Sequence, residues 1–536
     1  MSDAHLRMPP ALRLLLLALV VGVVAGAGAV LFRALIGLFH NLLFLGRFSF
    51  AYDANVHTAA SPWGWAVVLV PVLGAAGVAY LVQNYAPEAK GHGVPEVIDA
   101  IYFNDARIRP QVAVVKSLAS ALSIGSGGSV GREGPIIQIG AAFGSTLGQW
   151  LPLQTRERAV LVAAGAGGGI AATFNTPLGG VVFAIELMLP FVTASTLLPV
   201  VLSTLTATAI GRAFFGVLPS FSVPALEHAV GASVPITAYP WFLLLGVIVG
   251  GLAWAMARGV YWMEDKFDAL PGNYYTRHMG GMLLVGLVLA LFMHFSPLLG
   301  QPAHYYVEGV GYATIMDILR GELAAPGFLA LLVVAKLALT LLTLGSGASG
   351  GVFSPAMFVG AAAGAAFGVL VAPWLPGVSP AHFALAAMAG MVGGTTGAVV
   401  TAVVMVFEMT RDYTVIMPMI LTVAVAAALR ERLMPATIYT LKLVRRGHKV
   451  PQGLQGFAGA LCCRDVMSPV TGEEEGPTLL VDAALPFSHA LARMQAAGSD
   501  YAVVTEAAES GGVRRIGVIG PREVARALSR DAHLAP

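Results

Sequence analysis

The sequence predicts an all-α polytopic membrane protein built from two inverted-topology repeats of tilted and broken helices, followed by a small cytoplasmic α/β unit. Three observations predict it. The composition is too apolar for water, long stretches carry no charge, and an internal repeat is broken by glycine and proline at matching places.

The chain has 536 residues, 57% hydrophobic and 11% charged, with a mean hydropathy of +0.77. Soluble chains carry about a quarter charged residues, so this one has too few to wet the surface of a large soluble fold. Leu14–Phe32, Trp65–Val82, Trp241–Met256 and Met279–Phe295 run without Asp, Glu, Lys or Arg. Apolar runs of about 17–25 residues are membrane-span candidates. The first is too long, and is followed by too many further spans, to read as a cleaved signal peptide. A net charge of +2 says nothing about nucleic acid, and no nucleic-acid partner is expected. Cys462 and Cys463 are the only cysteines and are adjacent, so no disulfide framework exists.

Residues 1–450 read as the transmembrane domain, with repeat halves at about 60–215 and 275–445. Basic residues flanking a span favour the cytoplasmic side. Arg445, Arg446, His448 and Lys449 therefore place the C-terminus there, and the N-terminus with it, in a multi-pass protein of the cell (inner) membrane. Beyond them the composition changes. Residues 464–536 carry Glu473, Glu474 and Glu475, a helical pattern at Phe487–Ala497, β-type runs at Tyr501–Thr505 and Arg515–Ile519, and a closing helix at Arg522–Leu528.

A shift of 220 residues lays Val114–Gly148 on Val334–Gly368, with 14 of 35 positions identical, among them Lys116/Lys336, Ser126/Ser346, Ser129/Ser349 and Pro135/Pro355. Shared Gly/Ala bias does not produce paired Lys, Ser and Pro at one offset. Two halves with interrupted segments at corresponding positions point to a transport site between them.

Three glycine-bounded motifs precede helical runs: Gly91-His92-Gly93-Val94-Pro95-Glu96, Gly131-Arg132-Glu133-Gly134-Pro135 and Gly351-Val352-Phe353-Ser354-Pro355. Proline is tolerated in the first helical turn. Such starts expose unpaired N–H groups and the positive end of the helix dipole. Several converging would hold an anion without a full positive charge and so release it readily. Glu133 puts a carboxylate where an anion is expected. It reads either as a helix-start carboxylate, worth about 0.3–1 kcal/mol, or as a gate that competes with the anion and opens when displaced or protonated.

With these motifs the chain resembles the chloride channel and chloride–proton antiporter family over roughly residues 10–445. Phe174-Asn175-Thr176-Pro177 and the late tyrosine Tyr439 extend the likeness. The resemblance implies that Glu133 is the gating glutamate. It also implies that backbone N–H groups near Val352 and Phe353, with the Tyr439 hydroxyl, coordinate a central anion, and that the protein is a homodimer with one pore per subunit. Gly93, Val94, Gly134 and Gly351 join this anion-binding set through their backbones. Arg132 reads as a clamp on nearby carbonyls or a charge at the mouth of the path.

Two positions depart from the family pattern. His92 stands where a serine usually touches the central anion. Its ring either donates to the anion, with a positive charge at lower pH, or points away and leaves only the loop backbone. Family antiporters often carry a second, cytoplasmic-side glutamate immediately after the position of Glu186; here that position is Leu187. Adjacent helix positions point about 100° apart, so Glu186 is not an equivalent substitute. The weight therefore falls on passive, channel-like conduction of chloride or a similar small anion. The alternatives are an anion/proton antiporter with a non-standard internal proton path, and a nitrate-preferring carrier. The intact Gly-Arg-Glu-Gly-Pro motif argues against a fluoride-selective relative.

Arg464-Asp465-Val466-Met467-Ser468-Pro469 and the elements after it resemble a single CBS motif, whose pairing implies an adenine nucleotide or a ligand-free, dimer-stabilising cap. A sensor or scaffold built around this tail is the competing non-transport reading. Lys116 and Lys336 read as partners of carboxylates or as snorkelling side chains. Asp99 and Glu408 read as structural partners. No metal-ligand cluster or nucleophile–base constellation appears in the apolar body, so the sequence assigns no catalysis, no metal and no cofactor beyond that nucleotide.

Overall fold

The computed structural model describes residues 9–189, 192–223, 234–448, 462–469, 479–485, 487–499, 501–507, 513–521 and 523. Lys449, Glu473, Glu474, Glu475 and all of the expected closing helix except Glu523 lie outside them. The chain divides into two compact units, Met1–Met188 with Leu198–Arg446, and Leu189–Leu197 with Gly447–Pro536.

Each uncharged run of the sequence falls inside a helix long enough to cross a bilayer. Among the described residues seven helices qualify: Ala11–Leu45, Gly64–Asn84, Ala194–Phe215, Ile236–Ala269, Tyr274–Leu299, Pro326–Ser346 and Phe353–Trp374. In chain order the helices of this unit begin with α1 (Pro10–Leu45), α2 (Val70–Asn84), α3 (Val94–Phe103), α4 (Gln111–Gly125), α5 (Glu133–Trp150), α6 (Thr155–Phe174), α7 (Pro177–Phe183) and α8 (Ala194–Phe215). They continue with α9 (Tyr239–Ala269), α10 (Tyr274–Phe295), α11 (Tyr312–Arg320), α12 (Pro326–Ser346), α13 (Phe353–Val371), α14 (Pro380–Thr396), α15 (Val399–Thr410), α16 (Ile416–Leu433) and α17 (Ile438–Arg445).

Helices α3 to α7 recur as α11 to α15. Gly91 (φ 78°) and Gly93 (φ 83°) lead into α3 as Gly309 (φ 48°) and Gly311 (φ 78°) lead into α11. These left-handed turns are why glycine stands at both places. Helices α6 and α14 end alike, on a left-handed Asn175 and Gly397.

Small residues let the central helices touch. A Cβ added at Gly140 would lie 2.1 Å from the Gly165 carbonyl oxygen, which brings α5 against α6. Its counterpart in the second half is Gly360, whose Cβ would lie 2.4 Å from the Ala387 carbonyl oxygen and which packs α13 on α14. Helices without a hydrophobic driving force between them associate through such close packing.

The second unit is a four-stranded sheet of order β1-β4-β3-β2, from β1 (Ser468–Pro469), β2 (Leu479–Asp482), β3 (Ala502–Ala507) and β4 (Val513–Ile519). Its core joins Val481, Phe487, Met494, Val504 and Ile519 to Cys463. The helix over Phe487–Ala497 matches the sequence pattern. Strands β1 and β2 are additional, because two and four residues are too short for periodicity to register. Burial, with Cys462 beside it, pushes the Cys463 thiol up to about 11, so it packs as a small apolar group.

Gly140→Ala is expected to destabilise the protein by about 1–3 kcal/mol through overpacking, read as a lower thermal-unfolding midpoint in detergent. Gly251→Ala, at a position with nothing within 4 Å, is the control and leaves the midpoint level or higher.

Candidate functional site

The three motifs meet through their backbones. Gly131 and Gly351 exchange hydrogen bonds, Gly131 N to Gly351 O at 2.7 Å and Gly351 N to Gly131 O at 2.6 Å, in an antiparallel bridge. Gly91 N donates to Ala348 O at 2.9 Å, and Gly350 N to Gly91 O at 3.3 Å. Gly134 packs so closely on this junction that a side chain there would strike the His92 carbonyl. The starts of α3, α5 and α13 are thereby brought together. Irregular backbone is tolerated at membrane depth only where protein or a polar cavity satisfies it.

Two buried lysines complete that satisfaction. Lys116 Nζ donates to Ala89 O at 3.0 Å and Gly91 O at 2.7 Å. Lys336 Nζ donates to Val307 O at 3.0 Å and Gly309 O at 2.7 Å. The expectation of carboxylate partners or snorkelling is corrected here. Each lysine spends its donors on the carbonyls of the unwound segment before α3 or α11, and the two arrangements are equivalent across the repeat.

Glu133 is fully buried at the start of α5. Its carboxylate reaches across to the start of α13, where Ser354 N donates to Oε2 at 3.2 Å and the Ser354 hydroxyl donates to Oε1. Tyr312 Oη donates to Oε1 at 2.6 Å. The carboxylate therefore caps the other repeat's helix, occupying the place where an anion would meet free amides.

Tyr312 was not legible from the motifs. It opens α11, a fourth helix start behind Gly309-Val310-Gly311, and its hydroxyl also lies 3.0 Å from Ser354 Oγ. The signal was present: Gly309 and Gly311 repeat Gly91 and Gly93 at an offset of 218, two short of the main register. The Arg132 guanidinium lies over the Tyr312 ring at 5.1 Å and the Phe174 ring at 5.9 Å, so its charge rests on aromatic faces beside the carboxylate.

Val352, Phe353, Tyr439 and His92 are all buried. Val352 caps α13 and Phe353 is its first residue, so both present amides without an intrahelical partner. Gly351 is corrected as a donor: its N–H is spent on Gly131 O. Gly93 caps α3 and Val94 begins it. Tyr439 sits in the first turn of α17, which Thr437 caps. The His92 ring lies 5.6 Å from the Tyr439 ring, with Nε2 at 3.1 Å from Tyr261 Oη.

Glu186 lies away from this set. Its oxygens accept Val400 N at 3.0 Å, Thr401 N at 2.9 Å and Thr401 Oγ1 at 2.7 Å, capping α15. Glu408 returns the contact by accepting Leu178 N at 3.2 Å and Gly179 N at 2.7 Å at the start of α7. Leu187 is half-buried in the short π-helical turn Ala184–Met188.

Residues 73–431 match the family described as voltage gated chloride channel. The chain is 33% identical over 398 residues to an H(+)/Cl(-) exchange transporter ClcA of Vibrio parahaemolyticus, covering 72% of this chain and 80% of that protein. It is 31% identical over 442 residues to the ClcA exchange transporter of Yersinia pseudotuberculosis, covering 81% and 87%. A slow cyanobacterial Cl−/H+ antiporter of known structure superposes with a TM-score of 0.69 at 27% identity, over 82% of this chain and 98% of that one.

The lysine pair makes a graded prediction. Lys336→Met strands the Val307 and Gly309 carbonyls, at about 1–3 kcal/mol each. Lys116→Met is expected to cost less, because Ser349 Oγ and Gly350 N still serve Ala89 and Gly91. Thermal unfolding of both variants in detergent checks the order.

Proposed function

The chain belongs to the voltage gated chloride channel family, and from that premise we propose that it exchanges chloride for protons across a membrane, with Glu133 as its gate. The observation that carries this reading is the Glu133 carboxylate seated at the start of α13, held by Ser354 and Tyr312. An anionic side chain and a permeant anion compete there for the same donors. Protonation removes the side chain's charge and with it its claim on those donors, so that proton binding and anion occupancy alternate at one place. That alternation is the physical basis of exchange.

Leu187 by itself favours passive conduction. The exchange activity named for the Vibrio and Yersinia relatives and for the cyanobacterial antiporter supports coupling instead, and outweighs a single apolar position. On the inner side, the amides of Val352 and Phe353 and the Tyr439 hydroxyl serve as the central anion's donors, with Gly93, Val94 and Gly134 lining the approach. The protein works as a homodimer with both termini cytoplasmic in the inner membrane. The tail is a single CBS-like unit that modulates transport.

Purified protein in vesicles under opposed chloride and pH gradients tests the proposal. Exchange displaces the reversal potential from the chloride equilibrium value and makes it move with pH; a reversal fixed at that value sinks the reading. Glu133→Ala is expected to keep passing chloride while its reversal potential returns to the chloride value and its pH dependence disappears. Tyr312→Phe removes one donor to the carboxylate. Hydrogen bonds to charged groups are worth about 1.5–3 kcal/mol, so chloride flux at neutral pH is expected to rise by about tenfold or more.

A further inference from the structure

A proton that reaches Glu133 from the inner side can be relayed by a second titratable group, and the residues at the position the family resemblance points to do not supply one. Leu187 is apolar, and both oxygens of Glu186 are engaged in capping α15. The wall of the site holds another titratable group, His92, with 3% of its surface exposed.

The hydrogen-bond network fixes how that ring is protonated. Tyr261 has one hydroxyl hydrogen, and it points to Ile438 O at 2.5 Å. Toward His92 Nε2, at 3.1 Å, the Tyr261 oxygen is therefore an acceptor, and Nε2 carries the hydrogen. In the neutral ring Nδ1 is then a bare lone pair. Nδ1 is buried and has no hydrogen-bond partner among the described residues. A lone pair of this kind repels an anion, whereas the same nitrogen with a proton donates to one and adds a full positive charge.

The groups facing the ring set the balance. Tyr261 reaches it from α9, Tyr439 and Lys442 from α17, Lys116 from α4 and Glu96 from α3, and Gly134 brings the Glu133 end of α5 against its carbonyl. Lys442 is paired with Glu96 at 3.0 Å, and Lys116 is turned to the carbonyls of Ala89 and Gly91. An anion bound beside the ring favours its protonated form.

Resting on the exchange reading, we propose that His92 is the proton-loading residue on the inner side: Nδ1 takes a proton from water as chloride binds beside it. The proton is released to water or onward to Glu133 when the chloride leaves. No other bond forms or breaks. In this way a histidine in the anion site takes over the work of the missing acid.

Proton uptake on binding tests this without requiring turnover. Full-length Glu133→Gln protein, which lacks the gate carboxylate, is titrated with chloride in weak buffer while a pH dye is followed. Uptake approaching one proton per chloride is expected, with chloride affinity tightening up to tenfold per pH unit as pH falls. Adding His92→Gln or His92→Ser to that background abolishes the uptake and flattens the pH dependence. Chloride binding without proton uptake in Glu133→Gln overturns the proposal, whether or not the His92 variants fold, and so does uptake that persists in them. The vesicle reversal potential of the unaltered protein fails separately, and that failure removes the exchange reading.

Discussion

Gly131 and Gly351 exchange two backbone hydrogen bonds where the repeats meet, and the arrangement of the apolar body follows from that contact. Each of these glycines ends an unwound stretch that a bilayer cannot hydrate. Pairing the stretches with one another satisfies them and leaves the next amides, at Val352, Phe353 and Ser354, without an intrahelical partner, and that of Ser354 reaches the Glu133 carboxylate of the other repeat. The donors of the proposed anion site are what remain after the backbone has satisfied itself.

Charge is handled with the same economy. Lys116 and Lys336, both fully buried, give their donors to carbonyls, and Arg132 lies over aromatic faces. Full cations thus hold the framework, while partial charges of helix starts face the path, which suits a site that must release what it binds. The reciprocal caps of Glu186 on α15 and Glu408 on α7 are a second consequence of the repeat. Each carboxylate secures the start of the other half's helix, so Glu186 is part of the scaffold.

Much of this was legible in the chain. The uncharged runs fall inside long helices, and the offset of 220 residues pairs segments that the fold also pairs. The position of Glu133 ahead of a helix, and the unusual His92, were visible as motifs. Tyr312 escaped because its glycine pair lies at an offset of 218, so a single-register comparison passes over it. The lysines were legible as a pair but not in their bonding, since carbonyl acceptors carry no sequence signal.

The sequence by itself determined the solvent, the repeat and the identity of the groups that open each broken helix, because hydropathy and glycine–proline punctuation are local properties. Only the tertiary structure decided which helix start the Glu133 carboxylate caps, that Gly351 has no free donor, and that the His92 ring is buried beside Tyr439 with its Nδ1 unpartnered among the described residues. Those outcomes depend on segments up to 350 residues apart meeting within hydrogen-bond distance, as Glu96 and Arg446 do, and no local pattern encodes a meeting of that kind.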